Sequence, residues 1–367
     1  MAPDSRSPRL IACIVGARPN FMKVAPILKE LKRLPEFRTR LIHTGQHFSP
    51  EMSDSFFRDL SLPEPDEYLG IASGTQTAQT AAMLLRFEQS FLEQRPDLVL
   101  VVGDVTSTLA ATLTASKMNI RVAHVEAGLR SFDRSMPEEL NRIVTDCLSD
   151  FLFVSEPSGV TNLRREGAAP DSIFFVGNVM IDTLMSYQAS AQSSRILDEL
   201  GVQPGQYALA TLHRPANVDD PEQLRQMTQL LNDIAERLPV VFPVHPRTAK
   251  AMQDACLTTH GVILTKPQGY IDFLRLMTDA RLVLTDSGGI QEETTILQVP
   301  CLTLRDNTER PVTIELGTNR LVGTGTLRAA AAAREILDQP PPRGKVPEFW
   351  DGHASERIVE VLRKRIA

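Results

Sequence analysis

The sequence is poor in cysteine: Cys13, Cys147, Cys256 and Cys301 stand far apart, with no Cys-x-x-Cys pair and no histidine at zinc-ligand spacing. That pattern argues against a thiolate metal site and reads as reduced core residues. His43 and His47 are four residues apart, but Gly45 between them argues against a helix, so no metal is expected there either. No apolar run nears the roughly 20 residues of a membrane span. The opening stretch, MAPDSRSPR, lacks the apolar core of a signal peptide, which sets the expectation of a cytoplasmic protein. Positive charge is not in excess: the net charge of −6 argues against a nucleic-acid or membrane partner, although a local basic patch can still hold a small phosphate. No internal repeat is visible.

What is present is an ordinary globular composition, 42% hydrophobic and 23% charged, over 367 residues. That length suits two domains rather than one. Strand-like apolar runs at residues 10–15, 40–43, 98–102, 122–125, 151–154 and 173–176 alternate with helical patterns at 21–33, 77–94, 108–117 and 139–148. Residues 181–200 read as one long amphipathic segment crossing between domains. The alternation then restarts with strands at 207–211, 240–242, 262–264, 282–285 and 301–304, and closing helices at 326–337 and 354–366. This predicts an α/β fold of two doubly wound, Rossmann-like, parallel-sheet domains, 1–180 and 181–367, facing a cleft, with the last helix free to pack back on the first. Ligands in such folds bind at the carboxyl ends of strands.

Residues 280–300 change period in the middle. Leu282, Val283 and Leu284 read as a buried strand, Asp286-Ser287-Gly288-Gly289 stops it, and a helical pattern starts at Ile290. A strand running through Ser-Gly-Gly into a helix start leaves backbone N–H groups pointing one way, which makes an anion site. The plainer reading has Asp286 or Ser287 merely capping the helix. Glu292 and Glu293, one turn in, could accept from ribose hydroxyls.

Other strand ends carry charge. After the first strand, Gly16 is followed by Arg18 and Lys23 instead of by the glycines of a dinucleotide fingerprint, so NAD is disfavoured and a diphosphate grip is favoured. Asp104 follows the strand at 98–102 and is either functional or a helix cap. Glu126 closes the strand at 122–125; a buried carboxylate there needs a partner or a role, and the plainer partner is Arg130. Pro137 starts a helix with Glu138 and Glu139 in its first turn. His213 and Arg214 end the first strand of the second domain, and His245 ends the next. Carboxylates gathered in one pocket repel, so at least one should be harder to ionise and able to act as an acid while another acts as a base. The sum points to acid–base chemistry on a nucleotide-linked substrate.

Together, GARPNFMKVAPI, TGQHF, GDVTSTLA, HVEAGLRS, MPEELNR, VGNVMIDTL, DSGGIQEE and RDNTERP resemble the non-hydrolysing UDP-N-acetylglucosamine 2-epimerases, in order from Ile11 to Gly323. The resemblance implies a GT-B type fold, a homodimer and no cofactor. It also implies interconversion of UDP-GlcNAc and UDP-ManNAc by anti elimination of UDP to 2-acetamidoglucal and readdition. It makes Asp104, Glu126 and Glu138 the catalytic carboxylates, joined by His213. It assigns Arg18, Lys23, Phe273, Ser287, Gly288, Gly289, Glu293 and Arg310 to the UDP-sugar, with Glu293 on ribose and Phe273 at the uracil. Gln46, His47 and Arg214 fall near an effector site at which UDP-GlcNAc activates related enzymes.

Departures from the family pattern bear on substrate and regulation. Pro215-Ala216 stands where the best-known bacterial enzymes have Arg-Glu, and Asn20 and Val312 stand where they have glutamate. A 2-epimerase of UDP-2,3-diacetamido-2,3-dideoxyglucuronic acid is the first alternative. A GT-B glycosyltransferase and a non-catalytic nucleotide-sugar sensor are the others. The pathway implied is surface polysaccharide synthesis.

Overall fold

The computed structural model describes residues 7–45, 64–339 and 343–366, without the side chain of Arg18. The chain divides into two compact units, Met1–Thr183 with Glu348–Ala367, and Leu184–Pro347.

The first unit holds a seven-stranded, all-parallel sheet in the order β3-β2-β1-β4-β5-β6-β7. Its strands are β1 Arg9–Val15, β2 Phe37–His43, β3 Glu67–Tyr68, β4 Leu98–Val102, β5 Arg121–Val125, β6 Phe151–Val154 and β7 Ile173–Phe175. β4 is buried along its whole length, which explains why it reads as a continuous apolar run without alternation. Strand order reverses between β1 and β4, so the turns after these two strands open at the switch point of the sheet, the usual ligand position. Ile14, Ile42, Val99 and Val101 pack on one face against Met83, Phe87 and Phe91 of the helix Gln76–Glu93 and the alanines of the helix Thr106–Lys117.

The last helix, Ala354–Ile366, belongs to this first unit and is fixed at both ends. The Asp182 carboxylate accepts from Ala354 N at 3.1 Å and Ser355 N at 2.7 Å, serving as its N-terminal cap from another helix. At the far end, Arg9 Nε donates to Ile366 O at 3.1 Å. Trp350, almost fully buried, donates its ring N–H to Ser155 O at 2.9 Å.

The second unit repeats the plan with six parallel strands in the order β10-β9-β8-β11-β12-β13. They are β8 Ala208–Thr211, β9 Val240–Pro243, β10 Val262–Thr265, β11 Leu282–Thr285, β12 Cys301–Thr303 and β13 Asn319–Leu321. Here the order reverses between β8 and β11, which places the turn at His213 beside the turn at Asp286.

Two sequence expectations are corrected. Of the four cysteines read as core residues, Cys13 and Cys301 are buried but Cys147 and Cys256 are exposed. Residues 181–200 form two helices, Val179–Gln192 and Ile196–Leu200, and not one. The break falls at Ser193 and Ser194, where the Ser194 hydroxyl accepts from Ile196 N at 3.2 Å and donates to Asp272 at 2.5 Å, so the side chain replaces helical backbone bonding.

Candidate functional site

In the first unit the turn after β1 is organised by Asn20. Its side-chain oxygen accepts from Ala17 N at 2.9 Å and Gly16 N at 3.4 Å, while its NH2 donates to Val102 O at 2.9 Å. An amide can accept and donate in this way and a carboxylate cannot, which gives a structural reason for asparagine at this position. The side chain thereby ties the β1 turn to the end of β4, where Gly103 takes φ +66° and leads into Asp104.

Glu126 ends β5 in a left-handed backbone conformation, φ +73°, which costs a residue with a Cβ of the order of 1–3 kcal/mol. It is 4% exposed. Its Oε2 pairs with the Lys23 ammonium, whereas its Oε1 is buried and, among the described residues, accepts no hydrogen bond. A half-satisfied buried carboxylate on strained backbone is expensive, and strain of this kind concentrates at sites of chemistry. The plainer expectation, a Glu126–Arg130 pair, is overturned. Arg130 instead bonds Asp146 at 2.7 Å and Glu166 at 2.6 Å.

Asp104 does not cap the helix Thr106–Lys117, whose N-cap is Val105. Its carboxylate is gripped by Arg142, Nε at 3.0 Å and Nη2 at 2.7 Å on the same oxygen. Arg142 Nη1 bonds Glu139 at 2.7 Å. Glu139 is buried, and its two oxygens also accept from Ser131 N, Ser131 Oγ and Phe132 N, which shapes the loop before its helix. Its neighbour Glu138 is exposed in the first turn of the helix Pro137–Leu148. The structure thus separates two adjacent glutamates that are indistinguishable in sequence. Glu139 is a loop anchor and Glu138 a surface-facing acid.

Behind these groups His124, fully buried, places Nδ1 at 2.6 Å from Asp146 and Nε2 at 2.8 Å from Gly103 O. Burial alone would raise the Asp146 pKa, but His124 and Arg130 hold it below the usual carboxylate range.

In the second unit Asp286 neither caps nor points outward. It is fully buried and accepts from His213 N, Arg214 N and Asn217 Nδ2 at 2.9, 2.9 and 3.1 Å, and its other oxygen lies 2.8 Å from His213 Nδ1. Burial pushes its pKa up, but these partners bring it below the ordinary value. The His213 side chain, 53% exposed, is therefore steered by a buried carboxylate and presents its other ring nitrogen outward. Arg214 helps to hold the turn, Nε donating to Asp286 O at 2.9 Å.

Ser287 is the N-cap of the helix Gly288–Leu297 by backbone conformation, with no side-chain cap bond. The first helical N–H groups have no carbonyl one turn behind them and face outward. A Cβ on Gly288 would lie 2.7 Å from the Arg310 guanidinium, so glycine is required for Arg310 to rest against the helix start. Arg310 is anchored by Glu292 at 2.7 Å, and Arg305 pairs with Glu309 at 2.7 Å beside it. Glu293 is buried next to Glu292. Burial raises its pKa to about 7, with Glu292 adding to the rise and the hydrogen bond from Tyr270 opposing it. Phe273 is half-buried on the helix Tyr270–Thr278.

Lys23, Asp104, Glu126 and Glu138 therefore belong to the first unit, and His213, Arg214, Phe273, Ser287, Gly288, Gly289, Glu293 and Arg310 to the second. Gln46, His47 and the Arg18 side chain lie outside the described residues. Arg142, Tyr270 and the His124–Asp146 pair hold this machinery without having been assigned a role from sequence, and Asp286 holds it in place of the capping role that its position suggested. Among the described residues no group of three or more His, Cys, Asp or Glu side chains converges as a metal site, and no helix is long and apolar enough to cross a membrane.

The family model described as UDP-N-acetylglucosamine 2-epimerase matches residues 29–363. The chain belongs to that family. A UDP-N-acetylglucosamine 2-epimerase of Methanocaldococcus jannaschii is 42% identical over 362 residues, covering 96% of this chain and 98% of that protein. A UDP-2,3-diacetamido-2,3-dideoxy-D-glucuronate 2-epimerase of Pseudomonas aeruginosa is 40% identical over 358 residues, covering 96% and 99%. The crystal structure of the M. jannaschii UDP-GlcNAc 2-epimerase in complex with UDP-GlcNAc and UDP superposes with a TM-score of 0.90 at 41% identity, over 97% of this chain and 99% of that one. Membership of the family and the two parallel-sheet domains agree with the reading of the sequence.

Proposed function

We propose that the protein interconverts UDP-N-acetylglucosamine and UDP-N-acetylmannosamine by anti elimination of UDP to 2-acetamidoglucal, followed by readdition with C2 inverted. The observation that carries this reading is Glu126, a buried carboxylate on strained backbone with one oxygen fixed by Lys23 and the other unpartnered among the described residues. No carbonyl acidifies the C2 proton, so departure of UDP leads and a positioned carboxylate takes the proton as C1–O breaks. Asp104, locked by Arg142, and exposed Glu138 supply the other proton-transfer positions. His213, Arg310, the Ser287 hydroxyl and the amides at Gly288 and Gly289 receive the charge of the departing diphosphate, the Ser287 N–H being already given to Thr285 Oγ1. Hydrogen leaves and returns as a proton, so the reading uses neither NAD nor metal. It takes the enzyme as a cytoplasmic homodimer in polysaccharide synthesis.

A second substrate has a specific observation behind it, since the P. aeruginosa diacetamido-glucuronate epimerase is almost as similar as the M. jannaschii protein. Incubation with each UDP-sugar in D2O, followed by NMR at C2, tests both. UDP-ManNAc carrying deuterium at C2 is expected from UDP-GlcNAc. Exchange only in the diacetamido-uronate selects the alternative substrate, and no exchange in either sugar sinks the reading.

Because the Ser287 side chain caps nothing, Ser287→Ala separates binding from folding. UDP affinity is expected to fall by about 1–2 kcal/mol in calorimetric titration, while the thermal midpoint stays near that of the wild type. Unchanged affinity would count against a diphosphate at this helix start.

A further inference from the structure

We propose that Tyr270 is the positioning residue that aims Glu293 at the ribose of the nucleotide, and that this contact sets the preference for a sugar with free 2′ and 3′ hydroxyls. The inference rests on the UDP-binding reading above and adds to it a residue and a source of specificity. Tyr270 opens the helix Tyr270–Thr278, is itself buried, and donates its hydroxyl to Glu293 Oε1 at 2.9 Å. The Tyr187 ring meets it edge-on, 6.1 Å between centroids at 89°, and limits where the phenol can swing. A buried phenol hydroxyl needs an acceptor and a buried carboxylate needs donors, so each group satisfies the other.

The surrounding charges make this bond important to Glu293. Glu292 precedes it in the same helix and repels its charge, and Arg310, the nearby cation, is engaged by Glu292 at 2.7 Å. With Oε1 taken by Tyr270, Oε2 makes no hydrogen bond among the described residues and is left for a ligand, in a direction fixed before any ligand arrives. A carboxylate fixed in this way loses little freedom on accepting hydroxyl hydrogen bonds. Phe273, expected at the uracil, lies three residues beyond Tyr270, on the same side of a one-helix platform. Ribose and base contacts are thereby referred to a single helix.

Titration calorimetry with UDP and with 2′,3′-dideoxy-UDP tests the proposal. The wild-type protein is expected to prefer UDP by ~tenfold or more, the scale of a hydrogen bond to a charged group. Tyr270→Phe is expected to lose most of that preference by weakening UDP while leaving the dideoxy nucleotide within about threefold. A Tyr270→Phe protein that keeps the wild-type ratio would overturn the proposal. If that variant does not fold, the wild-type protein gives the answer. Its UDP preference is expected to fall as pH drops through about 7, where Glu293 takes up a proton and stops accepting as an anion, and a flat ratio across this range would equally overturn it. Failure of the wild-type protein to bind UDP at all would overturn the nucleotide reading itself, and the two failures are distinct.

Discussion

Glu126→Gln is expected to bind UDP as the wild-type protein does and to epimerise at least ~100-fold more slowly, the usual scale for loss of a general acid or base. The substitution keeps shape and one acceptor oxygen. Lys23 therefore retains a hydrogen bond, and the backbone at φ +73° meets no new bulk. What is lost is the capacity to take a proton at Oε1, the atom that has no partner among the described residues. The residues assigned to UDP by resemblance lie mainly in the second unit, so calorimetry with UDP reports a different part of the chain from turnover followed by NMR. Turnover near the wild-type rate would reduce Glu126 to an ion-pair partner and move the chemistry to Asp104 or Glu138.

Arg142→Met should cost about 3–5 kcal/mol of stability, the range for breaking a buried ion pair from one side. Methionine fills similar space, so the loss is electrostatic and not a cavity. Glu139 would stay buried without its cation while still required to hold Ser131 and Phe132, and Asp104 would lose both of its guanidinium bonds. Urea denaturation reads the effect as a lower midpoint. Arg142→Lys should recover only part, because an ammonium cannot bridge two carboxylates through a planar fork. A loss below about 1 kcal/mol would mean that solvent already screens this network.

The apolar strands were legible because a buried parallel strand must be apolar on both faces, as β4 and β11 are. β3, two residues long, and β13, Asn-Arg-Leu, carry no such signal and exist because neighbouring strands offer them an edge. Side-chain partners were the harder part. Glu126 and Arg130, four apart, look like a pair, yet each turns to residues distant in sequence, Lys23 for one and Asp146 and Glu166 for the other. Asp286 looks like a helix cap because aspartate often is one, but its strand lies beside β8 and the turn at His213 supplies better donors. The rule behind both misses is the same. Local spacing fixes which groups can act, and strand order decides whom they meet. Glu138 and Glu139 make the point within one turn of helix, since only the loop folded back onto Glu139 tells them apart.

The helix Ala354–Ile366 gives this molecule an order of assembly. The first unit is encoded in two pieces, residues up to 183 and residues from 348 on, with the whole second unit between them. Asp182 and Arg9 must wait for the backbone groups at Ala354, Ser355 and Ile366, and the space filled by Trp350, Ile358 and Leu362 has no other occupant until then. During synthesis the second unit can close on itself while its predecessor remains open along one flank. The part of the enzyme made first is thus finished last, and ribosome-bound chains ending before residue 354 should display that apolar flank to chaperones.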